Sequence, residues 1–243
     1  MKIAVIPTLN EEKNIALVMN RAIKMVDKVI IVDGLSSDNT VNIAKKFGKT
    51  EIVLEKKPGK GNALRKGFEI ALKYRPKYMV MLDGDGEKDP NDIPKMVKWL
   101  KANNADMVVG FRQQRRSLGR KFFNLYASWW IRFATGYKIR DCLSGFNIIK
   151  TACLERMKLI SNNFEIETEL ILEARKNNLK VIEYPVSSPK KSPSRLKKRH
   201  MKEINIFFDK WILNWNNSRY CDNPFYKKIF LNFFCRLGLL IFR

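Results

Sequence analysis

Residues 78–90, Y-M-V-M-L-D-G-D-G-E-K-D-P, decide the fold. Tyr78–Leu82 is a short apolar run, the pattern of a strand buried on both faces. It breaks at Asp83-Gly84-Asp85-Gly86-Glu87, a segment of turn formers and carboxylates. An amphipathic helix follows over Ile93–Asn103, starting near Pro94. The alternation continues to either side. Ile3–Ile6, Val29–Val32, Glu51–Leu54 and Met107–Val109 read as further strands. Helices are predicted over Glu12–Val26, from a cap at Asp38 or Thr40 to Lys46, and over Lys60–Tyr74. Short apolar strands separated by helices indicate βαβ units, so the chain is of the α/β class. Its sheet is Rossmann-like, mostly parallel and flanked by helices.

In such a sheet, ligands bind beyond the carboxyl ends of the strands. Those ends read Pro7-Thr8-Leu9-Asn10-Glu11, Asp33-Gly34-Leu35-Ser36-Ser37-Asp38 and Asp83-Gly84-Asp85-Gly86-Glu87. No G-x-G-x-x-G follows the first strand and no G-x-x-x-x-G-K-[ST] occurs, which removes the main support for dinucleotide-binding and P-loop readings. Asp83 and Asp85, two residues apart on a tight turn, can hold a hard divalent cation, with Glu87 adding an oxygen. Mg2+ and Mn2+ use one or two carboxylates together with substrate phosphate oxygens. Asp33 is placed to accept hydrogen bonds from a base or ribose. Lys60, in the glycine-punctuated stretch Lys60-Gly61-Asn62-Ala63-Leu64-Arg65, opens a helix suited to close approach by phosphate or ribose. Arg112 ends the fifth strand with a cation.

The chain has 243 residues and a formal net charge of +23. Residues 1–110 carry 20 basic and 14 acidic side chains; residues 111–243 carry 27 and 10. The second part therefore suits a polyanionic partner. At 45% hydrophobic residues, global disorder is excluded. Cys142, Cys153, Cys221 and Cys235 form no C-x-x-C pair and have one histidine, His200, for company, which argues against structural zinc. Met1-Lys2 leads straight into a strand, so no secretory leader is read and reduced thiols in a cytoplasmic protein are expected.

From Leu118 the pattern changes. Phe122–Thr135 is an aromatic helix, followed by Asp141-Cys142-Leu143-Ser144-Gly145-Phe146, a helix over Glu165–Lys176 and a strand over Val181–Val186. Ser187–Lys202 holds seven Lys and Arg. Two apolar-aromatic helices are predicted in the tail, Ile204–Trp215 and Ile229–Phe242. Basic residues beside Trp and large apolar residues are the composition of an interfacial membrane helix. Ile229–Phe242 contains Arg236 and falls short of the roughly 20 apolar residues that a span requires.

Order and spacing of these stretches resemble the inverting family-2 glycosyltransferases of the GT-A fold, and most closely the dolichyl- or polyprenyl-phosphate hexose (mannose or glucose) synthases. The matching stretches are P-T-L-N-E-E-K-N (7–14), V-D-G-L-S-S-D-N-T (32–40), G-K-G-N-A-L-R-K-G (59–67) and D-G-D-G-E-K-D-P (83–90). They continue with V-G-F-R (109–112), D-C-L-S-G-F (141–146), F-E-I-E (164–167) and S-P-S-R-L (192–196). The resemblance implies a nucleotide pocket at Pro7, Leu9, Glu11 and Asp33. It further implies a D-x-D pair, Asp83 and Asp85, for ribose, diphosphate and metal, with Glu87 as a further ligand where the family often has Gln. Arg112 and Arg195 resemble the cations facing donor or acceptor phosphate. The chain departs from the family pattern at Leu9, where an aromatic is usual, at Gly34 in place of a second carboxylate, and at Asn147 and Arg195.

The expected activity is Mg2+- or Mn2+-dependent inverting transfer of a hexose from GDP- or UDP-hexose to a polyprenyl phosphate, at the cytoplasmic face of the membrane. A phosphate acceptor is already an anion and needs no base. Arg112, Arg120, Lys121 and Arg195 would position the phosphates, with Asp85 and Asp141 completing the catalytic set. A hydroxyl acceptor would need a base, Asp141 or Glu165. A third reading is a non-catalytic basic protein that binds nucleic acid or membrane; the acidic strand ends have no use there, and nucleic acid is not the expected partner. The expected organisation is a GT-A domain over residues 1–200, with a donor half 1–112 and an acceptor half 113–200. A membrane-associating helical tail spans 201–243. Oligomeric state is left open.

Overall fold

Apolar runs that alternate with amphipathic stretches become, in a computed structural model, a seven-stranded sheet flanked by helices. The structure describes residues 1–112 and 118–188, all within the compact unit Met1–Ser192. The strands are β1 (Lys2–Thr8), β2 (Lys28–Asp33), β3 (Thr50–Leu54), β4 (Tyr78–Met81), β5 (Met107–Arg112), β6 (Asn147–Lys150) and β7 (Val181–Val186). The helices are α1 (Ile15–Met25), α2 (Thr40–Ala44), α3 (Lys60–Leu72), α4 (Ile93–Ala102), α5 (Leu118–Thr135), α6 (Thr151–Leu154) and α7 (Ile166–Lys176).

Sheet order is β3-β2-β1-β4-β6-β5-β7. The pairs β1–β2, β1–β4, β2–β3 and β5–β7 are parallel, as the sequence pattern predicts. The strand that pattern does not reveal is β6, antiparallel to both β4 and β5. Its four residues, Asn147–Lys150, show too little periodicity to be read alone.

Both faces of the sheet are covered, which explains why the strands are continuous apolar runs. Ala4, Ile6, Val29, Ile31, Val80, Leu82 and Val108 face a core shared with Ile15 and Met19 of α1 and Ile93 and Met96 of α4. Ile15, Val18, Met19 and Ala22 form the buried stripe of α1. Burying each of its larger members contributes about 1.5–3 kcal/mol. On the opposite face α3 lies against β1 and β2 at Gly67, where a Cβ would run into Val5 and Val32.

Helix starts differ from expectation in ways the hydrogen bonds explain. α1 begins at Ile15 because Glu12 is tied to the next strand end: its N–H donates to Asp38 at 3.1 Å and its carboxylate accepts from Asn39 N–H at 3.2 Å. The cap position of α2 is Asn39; Asp38 accepts instead from the Thr40 N–H and hydroxyl. In α5, Ala127, Trp130 and Ile131 are buried while Leu125 and Trp129 are exposed, so its aromatic residues do not all serve one wall. Among the described residues no helix is long and apolar enough to cross a membrane. Arg195, His200, Cys221, Cys235 and the expected tail helices lie outside the described residues.

Candidate active site

Register brings the acidic strand ends together. Thr8 pairs with Asp33 across β1–β2, and β4 runs beside β1 on the other side. Leu82 still donates to Val5 O before the chain turns at Asp83. Gly84 sits tightly on the end of β1: a Cβ there would lie 3.1 Å from Thr8 Cγ2 and 3.6 Å from Glu11 Cγ. Asp85 Oδ1 accepts the Glu87 N–H at 2.9 Å, closing a turn that passes through Gly86 at φ 72°. The carboxylates of Asp83, Asp85 and Glu87 thereby share one turn at the strand end.

Cations from other elements converge on this turn. Lys60, in the first turn of α3, pairs with Asp83 and, at 2.5 Å, with Glu167 of α7. Burial opposes charge on Lys60, but the two carboxylates outweigh it and raise its pKa. For Asp83 burial likewise favours the neutral form, and the charges of Lys60, Lys88 and Arg112 overcome it and hold its carboxyl low. Arg112, at the end of β5, pairs with Glu87 and approaches Asp141 at 3.8 Å. Lys88 Nζ donates to Ser144 Oγ at 2.6 Å, and burial pulls its pKa down to about 8. The loop carrying Asp141, Ser144 and Gly145 completes the group, with Gly145 so close to the Asp83 carboxylate that a Cβ would collide with it.

Asp85 is the exception. Among the described residues no cation pairs with it, and burial, reinforced by the charge of Asp83, pushes its carboxyl up to about 6.

The family model for glycosyl transferase family 2 matches residues 3–164. The chain belongs to glycosyl transferase family 2. An uncharacterized protein of Methanocaldococcus jannaschii is 38% identical over 200 residues, 76% of this chain and 86% of the relative. The UDP-N-acetylglucosamine–dolichyl-phosphate N-acetylglucosaminyltransferase of Methanococcus voltae is 28% identical over 210 residues, 76% and 84% of the two chains. Among solved structures, glucosyl-3-phosphoglycerate synthase from Mycobacterium tuberculosis with phosphoglyceric acid has a TM-score of 0.69 at 20% identity, covering 86% of this chain and 79% of that one. Its complex with Mn2+, UDP and glucosyl-3-phosphoglycerate has a TM-score of 0.62 at 21% identity, covering 79% and 73%. The fold is GT-A and the chain is a glycosyltransferase.

Seen as a family-2 site, several residues stand differently from expectation. Asp33 is not open to a base or ribose: its buried carboxylate accepts from Thr8 Oγ1 at 2.8 Å and from Ser36 N–H and Oγ, each at 2.7 Å. It organises the loop after β2. Two of the three donors of the Lys60 ammonium are engaged within the chain, by Asp83 and Glu167. Gly59 and Gly61 make room for the backbone of Ser161 and Asn162 and the side chain of Asn163, with Asn62 N–H donating to Asn162 O at 3.1 Å. Arg112 faces carboxylates rather than open space. Glu11 is buried, accepting from Asn14 Nδ2 at 3.0 Å, and Pro7 lines the same floor beneath Gly84. Leu9 is 53% exposed beside Gly34, matched by Leu35, equally exposed and in the left-handed region at φ 64°.

The three carboxylates expected from the sequence to hold a metal differ in their surroundings. Asp83 and Glu87 are each neutralised by a cation, and among the described residues no three His, Cys, Asp or Glu side chains gather into a metal cage. The donor chemistry nonetheless fits a hard cation at Asp85, the carboxylate left without a counter-charge, with Asp83 adjacent. Mg2+ and Mn2+ typically use one or two carboxylates together with phosphate oxygens and water, so Asp85 and Asp83 are the residues that would hold one.

Sequence reasoning left three residues of this site without a role. Glu167 lies in the quoted F-E-I-E stretch, and its place on the inner face of α7 is the signal for it. Lys88 follows Glu87 directly and is buried, which no local pattern announces. Glu183 of β7 accepts the N–H of Arg140 at 2.6 Å and of Asp141 at 3.4 Å, a contact visible only in the fold.

Proposed function

We propose that this glycosyltransferase moves a hexose, with inversion, from a nucleotide-diphosphate sugar, GDP- or UDP-linked, to a polyprenyl phosphate. The observation that carries the reading is the charge pattern of the D-x-D turn. Asp83 is fixed by Lys60, while Asp85 pairs with no cation among the described residues and suits a diphosphate-bound Mg2+ or Mn2+. The metal, when bound, offsets charge developing on the leaving diphosphate. The chain's own part is to hold that leaving group and orient the acceptor. Asp83 and Asp85 are held at the strand end by Lys60, Gly84 and the Glu87 N–H. Arg112 pairs with Glu87 and lies 3.8 Å from Asp141, and Lys88 also acts on Asp141, so two cations offset two carboxylates on the wall that an anionic acceptor would meet.

A phosphate acceptor attacks the anomeric carbon as an anion, without a base. The Methanococcus voltae relative, named for transfer to dolichyl phosphate, supports this choice. The excess of 27 basic over 10 acidic side chains in residues 111–243 supports a peripheral position on an anionic, cytoplasmic membrane face. Residues 1–200 would then be the catalytic domain, with Arg195 at the acceptor phosphate and 201–243 as the membrane-associating tail.

The test is transfer from labelled GDP- and UDP-hexoses, with Mg2+ or Mn2+, to a polyprenyl phosphate, a polyprenol and a soluble glycan offered in parallel. Label in the lipid phosphate fraction alone is expected. Label only in hydroxyl acceptors overturns the reading and makes Asp141 the candidate base.

A further inference from the structure

Three described cations stand among the carboxylates of the site, and they are not equivalent. Lys60 holds two carboxylates and Arg112 holds one and approaches another. Lys88 holds none. Its residue is 3% exposed, and its ammonium makes one hydrogen bond, to Ser144 Oγ at 2.6 Å. That hydroxyl is itself committed: it donates to Gly110 O and accepts from the Phe146 N–H at 3.3 Å. An ammonium has three N–H donors. Two of them have no partner among the described residues. Asp141 and Asp83 act on Lys88 through space, but neither accepts a hydrogen bond from it.

A buried ammonium with open donors is costly unless a ligand supplies acceptors, and the cost is greater for a charge than for a neutral polar group. An anion that carries two or more acceptor oxygens, as a phosphate does, would satisfy both donors and offset the charge. The position of Lys88 says which phosphate. Its anchor Ser144 and its neighbour Asp141 belong to the loop after α5, whereas the donor side of the turn, at Asp83, is served by Lys60. On the reading of residues 113–200 as the acceptor half, this sets the Lys88 ammonium on the acceptor side of the turn, within the field of Asp83 as well as Asp141.

We propose that Lys88 is the residue that selects a phosphate-bearing acceptor over a hydroxyl acceptor, its two open N–H groups taking oxygens of the acceptor phosphate. This rests on the polyprenyl-phosphate reading and makes one side chain answerable for it.

The test uses the full chain in detergent micelles, with Lys88→Gln and Lys88→Arg compared to wild type. The readouts are KM for a medium-chain polyprenyl phosphate and Kd for the nucleoside diphosphate. Loss of a charge-assisted contact in a dry site predicts a rise in acceptor KM of about 10- to 100-fold in Lys88→Gln. Nucleotide Kd should move less than about threefold, and Lys88→Arg should recover part of the loss. If removing the buried charge unfolds the chain, Ser144→Ala decides, since it keeps the ammonium but frees it from its anchor; a smaller rise in the same KM is expected. An unchanged acceptor KM, or a nucleotide Kd that rises in parallel, overturns the assignment of Lys88 while leaving the lipid-phosphate reading intact. Wild-type transfer to hydroxyl acceptors alone overturns that reading and this proposal with it.

Discussion

Lys60 and Asp83 form a part-buried ion pair between the first turn of α3 and the end of β4, and the same ammonium reaches buried Glu167 of α7. Three elements far apart in sequence are thus joined at one nitrogen. The pairing explains why Asp83 keeps its charge in a part-buried position, and why the D-x-D turn presents one compensated and one uncompensated carboxylate.

Removing Lys60 alone should therefore be more damaging than removing it together with a carboxylate partner. Lys60→Met strands buried Glu167 and takes from part-buried Asp83 its paired cation, a loss of about 3 kcal/mol by analogy with other broken buried pairs. The double variant Lys60→Met/Glu167→Gln should be more stable than the single one, because one of the stranded charges is gone. Urea unfolding of the three chains checks the order.

Asp85→Asn should trade activity for stability. In the folded chain the Asp85 carboxyl is raised to about 6, first by burial and then by Asp83, so ionising it opposes folding. The contribution is absent below about pH 4, where both folded and unfolded chains are protonated, and complete above about pH 6. In metal-free buffer at pH 7.5 or so, the variant should gain up to roughly 3 kcal/mol, and at pH 4 or so nothing. Metal-dependent transfer should fall by about 100-fold or more through loss of the open ligand. Thermal melts at the two pH values, beside a transfer assay, test both halves.

These features divide by how far in sequence their causes lie. Strand ends and helix faces are local patterns, and β1, β2, β4, α1 and α3 are legible from apolar periodicity alone. The roles of particular polar residues are not local. Asp33 looks like an open ligand at a strand end until register sets Thr8 beside it and Ser36 folds back onto it. Gly59 and Gly61 look like a phosphate cradle, but glycine marks close approach without naming what approaches; here it is the backbone of Ser161 and Asn162 and the Asn163 side chain. The short strand β6, flanked by two antiparallel neighbours, depends on partners that periodicity does not see.

Gly145 is a case in which close approach can be tested at the reacting centre. A Cβ there would collide with the Asp83 carboxylate, whose other side is held by Lys60. Gly145→Ala should push Asp83 off its ion pair, lowering kcat/KM by about 10-fold or more, since small misplacements at a reacting centre are costly. Gly48→Ala, at a glycine with nothing near its Cβ position, is the control and should be close to neutral. Equal activity in both variants would show that Asp83 can move freely.

Glu183 should act on the same site from behind, as a positioning residue. Its carboxylate accepts the N–H groups of Arg140 and Asp141, at 2.6 and 3.4 Å, while Arg140 lies over the Phe111 ring at 4.8 Å. β7 thereby pins the start of the loop that carries Asp141, Ser144 and Gly145. Burial raises the Glu183 carboxyl, and the two N–H donors pull against it, so the side chain is held in place at some cost to its charge. Glu183→Gln keeps an acceptor oxygen for Arg140 and should retain most activity. Glu183→Ala removes both bonds and loosens the loop, for which a loss of about 10-fold in kcat is expected, the equivalent of one such contact. Nucleotide affinity should stay within about threefold of wild type in both, because the donor side rests on β1, β4 and α3 rather than on β7. A purely structural role would give the opposite result: lower melting temperature in Glu183→Ala with kcat unchanged for the folded fraction. Steady-state kinetics beside a melting curve separates the two, and recovery by Gln but not by Ala identifies the backbone contacts as the cause.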